Sequence, residues 1–305
     1  MQRLAKEGML VSQGRGLRRR IELSGAMLRG RTLRVAILLY ENSDRKTDYL
    51  IDLVHQLQKA GHDAGFVAKT MHELGMNVSR IARYVSATEA DAWVVVSGPR
   101  DVLEWFAAQA TPAIAMFGRF RQVAIAGAAP SKTSASIELV ERLVKLGHRR
   151  IVSVVREERR KPTLGTLDRL FLDELRKHGI ETGAYNLPDW RESPAGLQKL
   201  LDTLFQHTPP TALLLDEPAL FIAARDHLAR GGIVAPRDVS LVCYDYDKVF
   251  DWCIPAITHF AWDAQPLIRR VVKWSDNISR GKNDRRVSST DAKLVMGGTI
   301  GPARS

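Results

Sequence analysis

From Leu33 onward the chain alternates short apolar runs with segments whose apolar residues recur at helical spacing. Arg34–Leu39, Ala64–Ala68, Ala92–Val96 and Ala113–Phe117 are runs bounded by polar turns, the pattern of strands buried on both faces of a parallel sheet. Between the first two, Leu50, Leu53, Val54 and Leu57 fall on one helical face that Gly61 closes. Further helices run through Ile81–Val85, through Phe106–Ala108, and through Ile137, Val140, Leu143 and Val144 to Leu146-Gly147. A second series opens at Ile151. It has strands at Ile151–Val155, Tyr185–Pro188 and Thr211–Leu215, and helices at Leu167–Gly179, Leu197–Phe205 and Ala219–Arg230. This strand–helix repeat predicts an α/β fold with doubly wound parallel sheet.

The run Pro236–Asp247 begins the next strand and stops on Asp245 and Asp247, interleaved with Tyr244 and Tyr246. In open α/β sheets ligands bind outside the carboxyl ends of strands, where these carboxylates fall. The alternative is that they cap the strand and face water.

Composition narrows the class. A chain of 305 residues has room for two domains. Its 45% hydrophobic and 26% charged residues are those of a soluble globular protein. No apolar run approaches the roughly 18–20 residues of a membrane span, and the N-terminus lacks the apolar core of a secretory signal. Cys243 and Cys253 make neither a metal-ligand pattern nor a disulfide framework. A cytoplasmic protein without membrane association is the expectation. Of the formal charge of +11, residues 1–31 carry +6. A basic segment on a nearly balanced body suits an arm that meets phosphate; the alternative is a solvated tail.

Within that segment, Gln2–Glu7 reads as the end of a helix stopped by Gly8, Met9–Val11 as a strand, Gln13–Gly16 as a turn and Leu17–Ile21 as a returning strand. Leu4 to Leu10 followed by Gly14-Arg15-Gly16 resembles the end of the recognition helix and the wing of GntR-type winged-helix domains. The resemblance implies that Arg15 enters a minor groove while Arg18, Arg19 and Arg20 neutralise phosphates of double-stranded DNA. A wing alone does not read bases. The expectation is therefore that the chain as given is truncated, the alternative being that specific DNA binding has been lost. Residues 1–31 are assigned to this partial winged helix and its linker.

Three further motifs fall in order: Val144-Lys145-Leu146-Gly147-His148-Arg149-Arg150-Ile151, Pro209-Pro210-Thr211-Ala212 and Pro236–Asp245. Together they resemble the effector-binding domain of the LacI/GalR family of transcription regulators, over roughly residues 33–302. The resemblance implies a periplasmic-binding-protein-like fold of two doubly wound parallel-sheet lobes joined by a multi-crossover hinge. The first lobe would hold residues 32–147 plus about 259–280, the second 148–258 plus about 281–305. It implies a ligand-responsive regulator in which a small-molecule effector, expected to be a carbohydrate, binds between the lobes and allosterically alters DNA affinity, and a homodimer that reads palindromic DNA.

Carried across residue by residue, Asp245 matches the acid ending the family's Val-Gly-Phe-Asp strand, and Arg119 matches the Arg after the fourth strand. Asp216 and Glu217 replace an Asn-Asp pair, and Arg169 lies near the family's second Arg, whose own position is Leu167. Tyr40, Glu41 and Asn42 end the first strand, and Trp190 and Trp262 are aromatics positioned to stack on a ligand; for both, simple packing is the alternative. Pro130-Ser131-Lys132, where the family has Val-Asp-Asn, departs from an ordinary sugar pocket. No Walker loop, Gly-x-Ser-x-Gly or His-Glu-x-x-His occurs. No enzyme, catalytic residue, cofactor or metal is expected. The other readings are a solute-binding protein of a transport system and a DNA-independent sensor.

Overall fold

The computed structural model describes residues 10–11, 20–21, 31–161 and 163–304. Strands β1 (Leu10–Val11) and β2 (Arg20–Ile21) pair antiparallel, Leu10 opposite Ile21 and Val11 opposite Arg20. Arg15, Arg18 and Arg19 lie outside the described residues, and Arg20 is placed only by its backbone.

The rest of the chain forms two compact units. One comprises the chain to Ala129 plus Ala264–Ser288, the other Pro130–Asp263 plus Ser289–Ser305. The first is built on β3 (Arg34–Leu38), α1 (Asp48–Lys59), β4 (Asp63–Phe66), α2 (Val78–Ser86), β5 (Ala92–Val96), α3 (Arg100–Ala107), β6 (Ala113–Met116) and β7 (Ala126–Ser131), with α9 (Gln265–Ser279) and β12 (Val287–Asp291) returning late. Its six-stranded sheet has the order β12-β7-β6-β5-β3-β4. β3 lies parallel to both β4 and β5, with Val35 opposite Ala64 and Ala92. Every residue of β5 is buried, which is why an uninterrupted apolar run marks it.

The second unit contains α4 (Thr133–Lys145), β8 (Ile151–Val154), α5 (Glu157–Arg160), α6 (Thr166–Lys177), α7 (Pro194–His207), β9 (Ala212–Leu215), α8 (Pro218–Arg230), β10 (Ser240–Cys243), β11 (Thr258–Ala261) and β13 (Lys293–Val295). The sheet order is β13-β11-β10-β9-β8, parallel except for the antiparallel edge strand β13. One face is covered by Leu197, Leu201, Phe221 and Leu228 of α7 and α8, the other by Leu139, Leu143, Phe171 and Leu175 of α4 and α6. Burying such side chains contributes about 1.5–3 kcal/mol each.

Two features depart from the sequence reading. Tyr185–Pro188 is a turn rather than a strand: the Asn186 side chain accepts from Gly183 N at 3.0 Å and donates to the Ile151 carbonyl at 3.0 Å, so the segment touches β8 at one residue and bends away. Helix α4, expected in the first lobe, packs in the second unit, because Leu139, Val140 and Leu143 share a buried cluster with Ile151 and Phe171. His148, of the junction motif, is 1% exposed and meets the Gly301 carbonyl at 2.9 Å, and burial lowers its pKa.

Candidate ligand site on the second unit

The carboxyl ends of β8, β9, β10 and β11 deliver Arg156, Asp216-Glu217, Asp245 and Trp262. Parallel strands all end on one edge, so four separate stretches of sequence supply neighbouring polar groups there.

Asp245 is the most elaborated of these. Its Oδ1 accepts from the Trp262 indole N–H at 3.0 Å and from Tyr246 N at 2.9 Å, and its Oδ2 accepts from Lys132 Nζ at 3.1 Å. The carboxylate is one-third exposed, so it is held in place and still open to a partner. Asp247 does the plainer job, capping the 3-10 turn Lys248–Trp252 by accepting from Val249 N at 2.8 Å. The two carboxylates, indistinguishable by spacing, thus have different surroundings. The Tyr246 ring lies 5.2 Å from His259, and its hydroxyl donates to Asp251 at 2.7 Å.

Two arginines of the short stretch after β8 meet the acids that end the neighbouring strand β9. Arg156 bridges Glu192 and Glu217, while its main-chain N–H donates to Asp216 at 3.2 Å. Burial works against the Arg156 charge, but the hydrogen bond and attraction of Glu217, then those of Glu192, raise its pKa well above the ordinary arginine value. Burial likewise opposes the Glu192 charge, yet the Glu157 N–H and Arg156 hold its pKa below the usual carboxylate value. Arg159 bridges Asp216 and Asp168, the latter at 2.8 Å and only 2% exposed. Asp168 can stand so close because Gly165 precedes it: a Cβ there would meet Asp168 Oδ2 at 2.6 Å. Counting formal charges, Lys132, Arg156 and Arg159 face Asp168, Glu192, Asp216, Glu217 and Asp245, an excess of two negative charges.

Two expected residues of this unit stand apart. Trp190 is 8% exposed, donates its N–H to the Val155 carbonyl at 3.0 Å and belongs to the apolar core, with the Arg160 guanidinium 5.9 Å from its ring. Arg169 is exposed and donates to the Leu164 carbonyl at 2.8 Å. Arg156, Arg159, Asp168 and Glu192 were not singled out from sequence, and Lys132 was read only as part of a departure from the family's pocket. The charged run Arg156-Glu157-Glu158-Arg159-Arg160 after a buried strand was the available signal.

The expected residues of the first unit form a different arrangement. Tyr40 and Glu41 donate their main-chain N–H groups to Asp44 Oδ2 at 3.1 and 3.0 Å, and Glu41 caps the 3-10 turn Asn42–Lys46. Asn42 donates to Glu73 at 3.0 Å. Arg119 follows Phe117-Gly118 beyond β6, and its N–H donates to the Gly98 carbonyl at 3.0 Å. Ser97, Phe117 and Gly118 all have positive φ, and a Cβ on Gly118 would lie 2.5 Å from the Gly98 oxygen. This edge is shaped by main chain, with two loops crossing where only glycine fits. Among the described residues no cluster of acidic, His and Cys side chains has the makings of a metal site, and no helix is long and apolar enough to cross a membrane.

Residues 140–300 match the family model of the periplasmic binding protein-like domain, just over half of the chain. No curated protein matches. Among solved structures, a LacI family transcriptional regulator from Enterococcus faecium with bound ribose superposes with a TM-score of 0.70 at 14% identity, over 89% of this chain and 100% of that one. A LacI family transcriptional regulator from Mycobacterium smegmatis gives 0.70 at 17% identity, over 88% and 99%. The lac repressor dimer bound to operator and an anti-inducer gives 0.66 at 18% identity, over 89% and 95%. At such identities the likeness shows the fold.

Proposed function

The chain belongs to the periplasmic binding protein-like domain family, and from that membership we propose that it is a ligand-responsive transcriptional regulator rather than an enzyme. The observation that carries the proposal is the second unit's carboxyl edge, where Asp245 is fixed by Lys132 and Trp262 yet left partly open. A carboxylate with an indole beside it suits a polyhydroxylated ligand: the acid accepts from hydroxyls, and the ring covers an apolar sugar face. The ribose held by the Enterococcus faecium regulator supports a sugar-type effector. Asp216, Glu217 and Arg156 supply further polar contacts, and we assign Tyr40, Glu41, Asn42 and Arg119 the same role from the first unit.

Double-stranded DNA and a second copy of the chain are the proposed macromolecular partners, supported by the operator-bound lac repressor dimer and by the basic N-terminal segment. Trp252 and Ile254 are 87% and 96% exposed next to Val249, an apolar surface suited to a two-fold contact. Effector binding would shift DNA affinity by a coupling of ~1–3 kcal/mol.

Calorimetric titration with a panel of pentoses, hexoses and disaccharides tests the effector. One sugar is expected to bind, and Asp245→Asn to weaken it about tenfold or more. Failure of the whole panel would sink the carbohydrate assignment. In light scattering the chain should run as a dimer, and the double substitution Trp252→Asp with Ile254→Asp should give a folded monomer.

A further inference from the structure

The edge of the six-stranded sheet where β6 and β7 begin carries a cavity of about 300 Å³, at the opposite end of those strands from Phe117 and Arg119. All of its lining residues belong to the first unit. Phe106, Trp274 and Ile278 form its apolar part, and Lys282, Asn283 and Arg285 lie at its rim. We propose that this cavity is a second small-molecule site, which takes a compact organic anion carrying an apolar ring, such as an aromatic carboxylic acid.

Three observations support it. First, the volume is at the small end of ligand pockets, the size for one ring and a head group rather than a disaccharide. Second, the charge at the rim is positive and unspent. Asp284 is occupied by Arg270 at 3.0 Å, by Arg286 at 3.0 Å and by Asn277 at 2.7 Å. Lys282 and Arg285 have no carboxylate partner among the described residues. Lys282 and Arg285 thus stand at a rim whose one acid is already paired. The helix ends that reach the cavity do not reverse that sign, because their carbonyls are already taken. Gln109 donates to the Trp105 carbonyl at 2.8 Å, and the Gly281 and Lys282 N–H groups go to Ile278 and Asn277. Third, Trp274 is 1% exposed, and its indole N–H meets no acceptor among the described residues. An indole N–H that no protein group accepts can donate to a guest.

The Arg31 N–H donates to the Ser279 carbonyl at 3.3 Å, one residue along the chain from Ile278 of the cavity wall.

Fluorine NMR of the full chain with 4-fluorobenzoate tests this, with 4-fluorobenzyl alcohol as the uncharged counterpart. The benzoate signal should broaden and shift on titration, the alcohol much less. The surface double substitution Lys282→Ala with Arg285→Ala should weaken benzoate about tenfold or more. Trp274→Phe should weaken it less, and Asp245→Asn should leave it unchanged, which separates this site from the second unit's edge. No benzoate binding, equal binding of benzoate and alcohol, or undiminished binding to the double variant would each overturn the proposal. So would loss of binding on Asp245→Asn.

Discussion

The carboxyl edges of the two sheets solve the same topological problem with different materials. On the second unit the edge is a mesh of side chains in which Arg156 and Arg159 each join two acids. On the first it is largely main chain, with Ser97, Phe117 and Gly118 at positive φ and loops in contact through glycine. Charged mesh responds to pH, salt or a competing ligand, since its contacts are ionic. A main-chain cradle cannot titrate and tolerates little substitution.

The contrast can be broken experimentally. The largest effect should come from Asp168→Ala, which strips a 2%-exposed acid from Arg159. Breaking a buried pair costs ~3–5 kcal/mol, and the partly exposed Arg159 puts this one at the lower end. Urea unfolding measures it, and a loss below about 1 kcal/mol would show that the mesh is ornamental. Gly118→Ala should come next, at ~1–3 kcal/mol, from positive φ and the collision with Gly98. Unlike the first, its cost should be the same at every salt concentration.

The pH dependence sharpens the comparison. Because Glu192 has its pKa lowered in the folded state, its contribution is present above the unfolded carboxylate value and is lost as pH falls through the folded one. Thermal unfolding followed from pH 7 downward should therefore show an acid-side decline that Glu192→Gln reduces and Gly118→Ala leaves in place. The smallest stability effect should be that of Asp245→Asn, about 0–1 kcal/mol for a pair this exposed, although it is expected to cost the most in effector binding. A large destabilisation would recast Asp245 as a structural brace.

Much of this layout was legible in the chain because parallel strands buried on both faces write themselves as apolar runs. Ala92–Val96 coincides with its strand, and Asp216, Glu217 and Asp245 could be placed by falling just after such runs. β7 and β12 were missed, since Ala126–Ser131 and Val287–Asp291 are small or polar and carry no clear period. The boundary expected at Gly147 fell instead at Ala129, because a helix's apolar face does not say which sheet it will cover. The missing half of the site has a similar cause. Lys132 lies 113 residues before Asp245, and Arg156 lies 36 before Glu192. Only the folded sheet makes those neighbours. Trp190 shows the converse: beside charged residues it looked like a ligand platform, yet its N–H is spent inside the core.

The crossing of Gly98 and Gly118 has a practical implication for anyone altering this protein. A Cβ at residue 98 would press on Leu103, and one at residue 118 on the opposing main chain. Saturation libraries aimed at these loops would return mostly dead clones at Gly118, where φ is positive and the collision is with main chain. Diversity intended to change ligand preference is better spent on Lys132, Glu192 and Glu217, whose side chains can be exchanged without rebuilding the scaffold beneath them.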